Sequence, residues 1–230
     1  MNCRVIFTLI TLAAGLAAQA ANGATLLPTD DGFGYEFIPA PVSGVPFEAF
    51  LPVGVHPTGH STRSALKFDL SGVGLTAADV SSATLEMFVG DTTATNFGTN
   101  PSPGQPTTVS LFALGAGAWD EATLTWGTLP AVTGAAYDSL VIDGFNQSVS
   151  FDVTALVKDW LDGTVANNGL ALFAEAAVGG PPWVYATFSS SETANPPVLS
   201  VVPEPGSMAL ALFAVPALVW YGRRRVRGIK

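Results

Sequence analysis

Apolar residues recur at every second position in short segments of this 230-residue chain, and clusters of Gly, Pro, Asn and Ser separate those segments. Leu66, Phe68 and Leu70, for example, alternate with Lys67 and Asp69. This period is typical of a strand with one buried face, because successive side chains of a strand point to opposite faces. Eight or more such segments favour an all-β domain built as a β-sandwich. The predicted strands lie at residues 66–70, 83–89, 109–113, 122–126, 149–153, 170–172, 186–188 and 198–202.

One short helix is predicted over residues 154–163. Its apolar side chains share one helical face and include Trp160, which we expect in the core. Thr154 is suited to cap the start of this helix, and Gly163 is suited to end it.

Charge is distributed unevenly along the chain. Residues 25–202 contain seventeen acidic residues and three basic ones, Arg63, Lys67 and Lys158, which gives a net charge of −14. Such a body repels phosphate backbones and anionic lipids, so the charge excludes a nucleic-acid-binding protein that neutralises phosphates. The remaining partners are neutral polymers, cations, and acidic polymers bridged by cations.

The N-terminus has the features of a secretory signal peptide. Arg4 precedes an apolar run over residues 5–18, and a stretch of small residues follows. This pattern predicts a signal peptide within residues 1–24, with cleavage after Ala20 or Ala24. Cys3, the single cysteine, would be removed, so the exported chain would depend on core burial without disulfides.

The C-terminal residues 203–230 combine an apolar stretch with a basic tail. The sequence predicts a transmembrane helix over about residues 207–222. Sixteen helical residues span roughly 24 Å, less than the ~30 Å hydrocarbon core, but flanking arginines can extend a short span by snorkelling. The basic tail, which begins with Arg223, Arg224 and Arg225, should stay on the cytoplasmic side and leave the body outside.

The order of these C-terminal features resembles the PEP-CTERM sorting signal. The motif Val202, Pro203, Glu204 and Pro205 is followed by the apolar helix and the arginine cluster. The resemblance implies processing at this motif by an exosortase, a membrane-embedded transpeptidase-like enzyme of Gram-negative bacteria that make extracellular polysaccharide. We therefore expect an exported protein of the cell envelope, cell surface or extracellular matrix, held in the membrane at least transiently.

The body, residues 25–202, resembles the DNRLRE domain, also classed as carbohydrate-binding module family 96. The resemblance covers roughly residues 60–202 and implies a non-catalytic jelly-roll β-sandwich found beside polysaccharide-active enzymes. Residues 25–59 do not show that family's opening strands. The segments that carry the resemblance are SALKFDL (64–70), VSSATL (80–85), WDEATLTW (119–126), FDVTALV (151–157), NNGLAL (167–172), FSSSE (188–192) and PPVL (196–199).

Catalytic motifs are missing from the sequence. The exported chain would have no cysteine, its histidines are His56 and His60, and it contains neither a Gly-x-Ser-x-Gly elbow nor a phosphate-binding glycine loop. We therefore expect no enzymatic activity. A polysaccharide-active enzyme is the weaker alternative, and it would need a cleft with two close carboxylates, one of them with a raised pKa.

A structural calcium ion is possible, although no ligand set can be identified from the sequence. Several acidic residues on predicted loops offer the hard oxygen ligands that calcium prefers, but none has EF-hand spacing. The two histidines flank Pro57 and complete no zinc motif, so a solvated loop is expected there. The acidic loop residues are Asp30, Asp31, Asp91, Asp120, Glu121 and Asp138.

Sugar binding by a sandwich requires an aromatic face on a loop or an open sheet. Trp183 and Tyr185 follow a Gly-Pro-rich loop and alternate, which predicts that they point to the same side. Trp119 is the second candidate, whereas Trp126 is expected to be buried. The alternative for each loop aromatic is partial burial at the sandwich edge. The sequence thus predicts a polysaccharide-binding protein, with a structural or adhesive matrix protein carrying a calcium-dependent acidic surface as the alternative.

Overall fold

The computed structural model describes residues 23–38, 40, 47–56, 58–92, 98–174 and 183–204. The predicted signal peptide, apart from its last two positions, and the predicted sorting helix lie outside these residues. No helix within the described ranges is long and apolar enough to cross a membrane. The elements are β1 (Ala24–Leu26), β2 (Asp30–Tyr35), β3 (Phe50–Val55), β4 (Ser61–Lys67), β5 (Val80–Val89), β6 (Thr107–Leu114), β7 (Val132–Ile142), β8 (Gln147–Asp152), α1 (Thr154–Asp162), β9 (Leu170–Ala174), β10 (Ala186–Ser189) and β11 (Val198–Pro203).

The strands form two antiparallel sheets linked by β3. In the first sheet β11 lies between β1 and β5, and β8 pairs with the other side of β5. In the second sheet the order is β2-β4-β9-β6-β7. Strand β10 pairs with β5 in the first sheet, and β3 joins the two sheets by pairing with β10 and with β4 of the second. The predicted all-β, sandwich-like fold with one short helix is confirmed.

The core lies between the inner faces of the two sheets. Leu85, Phe151 and Phe188 face it from the first sheet, and Leu66 and Leu172 face it from the second; all five are almost fully buried. Each such side chain stabilises the fold by about 1.5–3 kcal/mol through removal from water. The described residues contain no cysteine, so apolar burial is the main stabilising term here.

Helix α1 covers one end of this core. Its residues Leu156, Val157 and Trp160 are buried, as the periodicity predicts. The predicted end at Gly163 is confirmed, because this residue has the left-handed φ of 78° that favours glycine. The predicted cap at Thr154 is wrong: its hydroxyl instead accepts a hydrogen bond of 2.9 Å from the backbone N–H of Ala83 in β5.

The predicted strand at residues 122–126 is wrong. Asp120 accepts hydrogen bonds from the N–H and the hydroxyl of Thr123 at 3.0 and 2.8 Å, and these bonds fold Glu121–Thr123 into a 3-10 turn. The cover segment, residues 115–131, lies across the outer face of the second sheet. On that face Trp119, Leu124 and Leu129 of the segment form a second buried cluster with Leu114, Ala65 and Ala171. Ala122, which is part of the alternating pattern, is exposed.

Strand β2 runs between a group of carboxylates at one end and a group of aromatic side chains at the other. Asp31 and Tyr35 sit near its two ends, opposite Leu66 and Thr62 of β4. Four residue steps of about 3.3 Å separate their Cα atoms by roughly 13 Å. Gly34 lies directly under the cover segment, since a Cβ there would be 2.8 Å from the Cα of Trp126.

Candidate functional site

An aromatic end surrounds the Tyr35 end of β2 and consists of Tyr35, Phe37, His56, His60 and Trp183. The rings of Tyr35 and Phe37 have centroids 6.4 Å apart, and Phe37 meets His60 edge-on at 5.3 Å. The β3–β4 turn brings the two histidines together, because the N–H of His56 donates to the carbonyl of His60 at 2.7 Å. Phe37 is 68% exposed, so this end presents aromatic surface to solvent.

Trp183 is partly exposed and belongs to this aromatic end. Its ring meets that of His56 edge-on, with centroids 4.0 Å apart. The backbone N–H of Thr99 donates to the carbonyl of Trp183 at 2.7 Å and holds the backbone of Trp183 in place. Of the three aromatic residues selected from the sequence, Trp183 is therefore the one that retains an accessible ring.

Tyr185 is only 2% exposed. Burial is the main cause that raises the pKa of its phenol to about 12, and Tyr35 adds to the effect. Its ring occupies the space where a Cβ on Gly54 would lie. Tyr185 is therefore buried and presents no face to solvent, so it is not available as a sugar platform beside Trp183.

Trp119 is also buried, at 6% exposure. The Nε1–H of Trp119 donates to the carbonyl of Asn168 at 2.8 Å, and the Nζ of Lys67 donates to the backbone carbonyl of Trp119 at 2.7 Å. The same Nζ lies 4.6 Å from the centroid of the indole ring. These contacts make Trp119 an anchor of the cover segment, and its ring offers no open platform.

Trp126 departs from expectation in the other direction, since it is only partly buried. The Cζ atom of Arg63 lies 3.7 Å from the centroid of its ring and 4.6 Å from that of Phe173. The alternating pattern suggested a buried strand residue, but the ring lies on the outer face of the second sheet.

A pocket of about 470 Å³ opens near the Asp31 end of β2. Its lining is rich in carboxylates from β2, from the turn before β3 and from the cover segment. The Nζ of Lys67 lies 3.2 Å from the Oδ2 of Asp30, at the side of this lining. The acidic lining residues are Asp30, Asp31, Glu48, Asp120 and Glu121.

The acidic cluster beside this pocket consists of Asp31, Glu121 and Glu192, whose carboxylate oxygens lie within 4.8 Å of one another. Asp31 is 1% exposed, and its Oδ2 accepts a hydrogen bond of 2.7 Å from the N–H of Ser191. Burial is the main cause that raises the pKa of Asp31 to about 7; the charges of Glu192 and Glu121 add to it, while the Ser191 hydrogen bond opposes it.

The other two carboxyls of the acidic cluster respond differently. Burial, followed by the charge of Glu192, raises the pKa of Glu121. Burial also acts to raise the pKa of Glu192, but hydrogen bonds from Ser191 and Ser190 outweigh it and the net pKa is lowered. At neutral pH Glu192 is thus the carboxylate most readily ionised, and the cluster can hold a proton or offer hard oxygen ligands to a cation.

The sequence identified only part of this cluster. Asp31 and Glu121 were among the candidate calcium ligands, but Glu192 was not, because the fold alone brings it to β2. Asp91 instead accepts a hydrogen bond from Asn100 at 2.8 Å, and Asp138 accepts one from the N–H of Asp152 at 2.8 Å.

The predicted processing motif begins at the end of β11. Val202 is 48% exposed, and Pro203 is the last residue of the strand. The N–H of Glu204 donates to the carbonyl of Asp79 at 2.6 Å. Pro205 and the arginines 223–225 lie outside the described residues.

Comparison with known proteins gives one family. A comparison with curated proteins finds no match, but the model of carbohydrate-binding module family 96 matches residues 48–203, from just before β3 to the end of β11. The match extends the predicted resemblance by twelve residues, into part of the region that the sequence left uninterpreted. Such a module suggests carbohydrate binding rather than catalysis, and an extracellular or surface location. Because the matched residues make up more than half of the chain, the chain belongs to carbohydrate-binding module family 96.

Proposed function

We propose that this protein is an exported, non-catalytic polysaccharide-binding component of the cell surface or extracellular matrix of a Gram-negative bacterium, with a jelly-roll-like sandwich as its binding body. The observation that carries the proposal is the family-96 match across β3 to β11. The partly exposed Trp183 at the aromatic end is the proposed sugar contact, because an indole face can pack on the C–H groups of a pyranose ring.

Affinity electrophoresis tests sugar binding. The purified full-length chain is run through gels that contain hydroxyethylcellulose, xylan, dextran or polygalacturonate, with serum albumin as an acidic control. We expect retardation by at least one polymer, and Trp183→Ala should weaken it without lowering the melting temperature. Mobility equal to that of albumin in every gel would contradict the proposal.

Export and sorting form a second part of the proposal. Ala24 pairs with Val201 in β1, so cleavage after Ala20 would keep this strand intact and is the favoured position. An exosortase would then process the exported chain at Pro203-Glu204-Pro205, while the helix over about residues 207–222 holds it in the membrane. Mass spectrometry of protein recovered from the matrix should find a C-terminus near Pro203, and a chain still ending at Lys230 would contradict this sorting route.

The acidic cluster favours one alternative, a structural or adhesive matrix protein with a calcium-dependent acidic surface. Three carboxylates within 4.8 Å of one another offer the ligand type that calcium prefers. Millimolar calcium should raise the melting temperature of the wild-type chain but not that of Glu192→Gln, which keeps the shape and loses the charge. An equal response of both chains would argue against calcium at this cluster.

A polysaccharide-active enzyme is a weaker alternative, which the same cluster brings back into consideration. The pocket holds close carboxylates and Asp31 has a pKa raised to about 7. However, Asp31 is 1% exposed and its Oδ2 accepts a hydrogen bond from the N–H of Ser191, an environment that disfavours direct proton transfer to a substrate. Release of reducing ends from any of the four polymers, abolished in Glu121→Gln, would establish the enzyme.

A further inference from the structure

A row of side chains crosses the outer face of the second sheet, beside the cover segment. This aromatic row consists of Trp126, Arg63, Phe173 and Phe112. The guanidinium carbon of Arg63 lies 3.7 Å from the Trp126 ring centroid and 4.6 Å from that of Phe173. The rings of Phe173 and Phe112 meet edge-on, with centroids 5.5 Å apart. The four side chains therefore form one continuous surface.

The register of the strands explains the row. Arg63 in β4 lies opposite Gly34 in β2, and Phe173 in β9 lies opposite Ser110 in β6. Adjacent strands are about 4.8 Å apart, so a row across β2, β4, β9 and β6 extends roughly 14 Å. Gly34 has no side chain, and this lets the backbone of Trp126 rest on β2 and bring its indole to the level of Arg63.

Arg63 is not explained by stability alone. It is the one arginine among residues 25–202, in a body of net charge −14, yet no described carboxylate lies within 4.0 Å of its guanidinium. Its Nε is buried and has no hydrogen-bond partner among the described residues. Burial lowers the pKa of Arg63, and the charge of Glu36 opposes this. A buried Nε–H without an acceptor is costly, although stacking of the guanidinium on two rings offsets part of that cost. A guanidinium kept flat in this way suits an acceptor that comes from outside.

We propose that the aromatic row is a polysaccharide-binding surface, in which a pyranose unit packs on the exposed part of the Trp126 indole and sugar oxygens accept hydrogen bonds from Arg63. The length of the row suits a chain that runs across the strands and continues over Phe173 and Phe112. This inference rests on the proposed carbohydrate-binding function, and it adds a surface distinct from Trp183. A sugar is the fitting partner because it combines an apolar C–H face with many acceptor oxygens, as the row combines rings with N–H donors.

The test uses the full-length chain and affinity electrophoresis in the polymer that retards the wild type most. Trp126→Leu keeps an apolar side chain but removes the flat ring, and Trp126→Phe keeps a ring. We expect the apparent association constant to fall about tenfold in Trp126→Leu and clearly less in Trp126→Phe, as loss of one aromatic contact predicts. Arg63→Lys keeps the charge and loses the planar stack, so it should weaken binding as well. Phe145→Ala, at a 41% exposed ring in the β7–β8 turn, is the matched control.

Each outcome of this experiment has a defined meaning. If Trp126→Leu and Arg63→Lys retain the affinity of Phe145→Ala, the inference is overturned while the proposed function stands. If Trp183→Ala alone abolishes retardation, binding belongs to the aromatic end and the inference is equally overturned. If no polymer retards the wild type, the proposed function fails and the aromatic row fails with it. A melting curve for each variant separates weaker binding from unfolding, and Arg63→Lys decides the case if Trp126→Leu unfolds.

Discussion

Replacement of Asp31 by Asn should remove the loss of stability that this carboxyl causes as the pH rises towards neutral. Burial and the two neighbouring carboxylates raise the pKa of Asp31 from an ordinary 3.8 to about 7. Between these values the folded protein holds a proton that the unfolded chain has released. The corresponding stability is fully present below about pH 4 and is lost as the pH rises through about 7.

The magnitude follows from the difference between the two pKa values. One pKa unit corresponds to about 1.4 kcal/mol, so a shift of roughly three units makes about 4 kcal/mol an upper bound. The three carboxyls of the acidic cluster titrate together, which spreads this change over several pH units and reduces the part that belongs to Asp31. We therefore expect Asp31→Asn to gain about 2–4 kcal/mol relative to the wild type between pH 4 and pH 8.

Urea denaturation of both chains, followed by tryptophan fluorescence in the presence of EDTA, measures this difference. Asp69→Asn is the matched control: Asp69 is exposed, and hydrogen bonds from the hydroxyl and N–H of Ser71 lower its pKa. Its contribution is present above about pH 4 and is lost only as the pH falls through the lowered pKa of the folded state, so the difference between the wild type and Asp69→Asn should stay nearly constant from pH 4 to pH 8. A difference between wild type and Asp31→Asn that stays constant from pH 4 to pH 8 would refute the buried, protonated carboxyl.

Three further substitutions test the packing. Gly54→Ala should destabilise the fold by about 1–3 kcal/mol in thermal melts, because the new Cβ would overlap the ring of Tyr185. Gly72→Ala is the control and should be neutral, because a Cβ there meets open space. Equal melting temperatures for the two variants would contradict the contact between Gly54 and Tyr185. Trp119→Phe should lower the free energy of unfolding by about 1–3 kcal/mol, because the Trp119 ring anchors the cover segment, and it should leave gel retardation unchanged. Weaker retardation at an unchanged melting temperature would instead show that Trp119 contacts the sugar. Gly163→Ala should lower the free energy of unfolding by about 1 kcal/mol, because a left-handed φ of 78° disfavours a residue with a side chain. A variant more stable than the wild type would contradict the left-handed conformation at this position.

The strands with one buried face could be predicted from the sequence. In β5, Ala83, Leu85, Met87 and Val89 face the core at every second position, as the alternation indicated. Strand β7 was missed because most of its residues are exposed, so an edge strand leaves no apolar period to detect. Strands β2 and β3 were missed for a different reason: β2 contains Asp31 and two glycines, and β3 contains a proline, which disguise buried strands.

The candidate sites were predictable only where one segment carries the whole signal. Trp183 is partly exposed, as the loop sequence indicated, but Tyr185 two residues later is buried, because its ring fills the space above the backbone of Gly54. The aromatic row and the acidic cluster each combine segments far apart in sequence, such as Asp31 with Glu192. No local pattern predicts such a contact, since it depends on the register of the strands.

The position of the acidic cluster relative to Arg63 bears on how this body can bind sugars despite its charge. Asp31 lies three residues along β2 from Gly34, which is opposite Arg63, so the acidic cluster is roughly 10 Å away along the strand. That distance is about one Debye length at physiological ionic strength, so the carboxylates act only weakly on a ligand at the aromatic row. The two regions should then respond independently: calcium should change the melting temperature and leave gel retardation by a neutral polymer unchanged. Retardation that appears only with calcium would instead mean that the cation bridges protein and polysaccharide, with the acidic cluster as the binding surface.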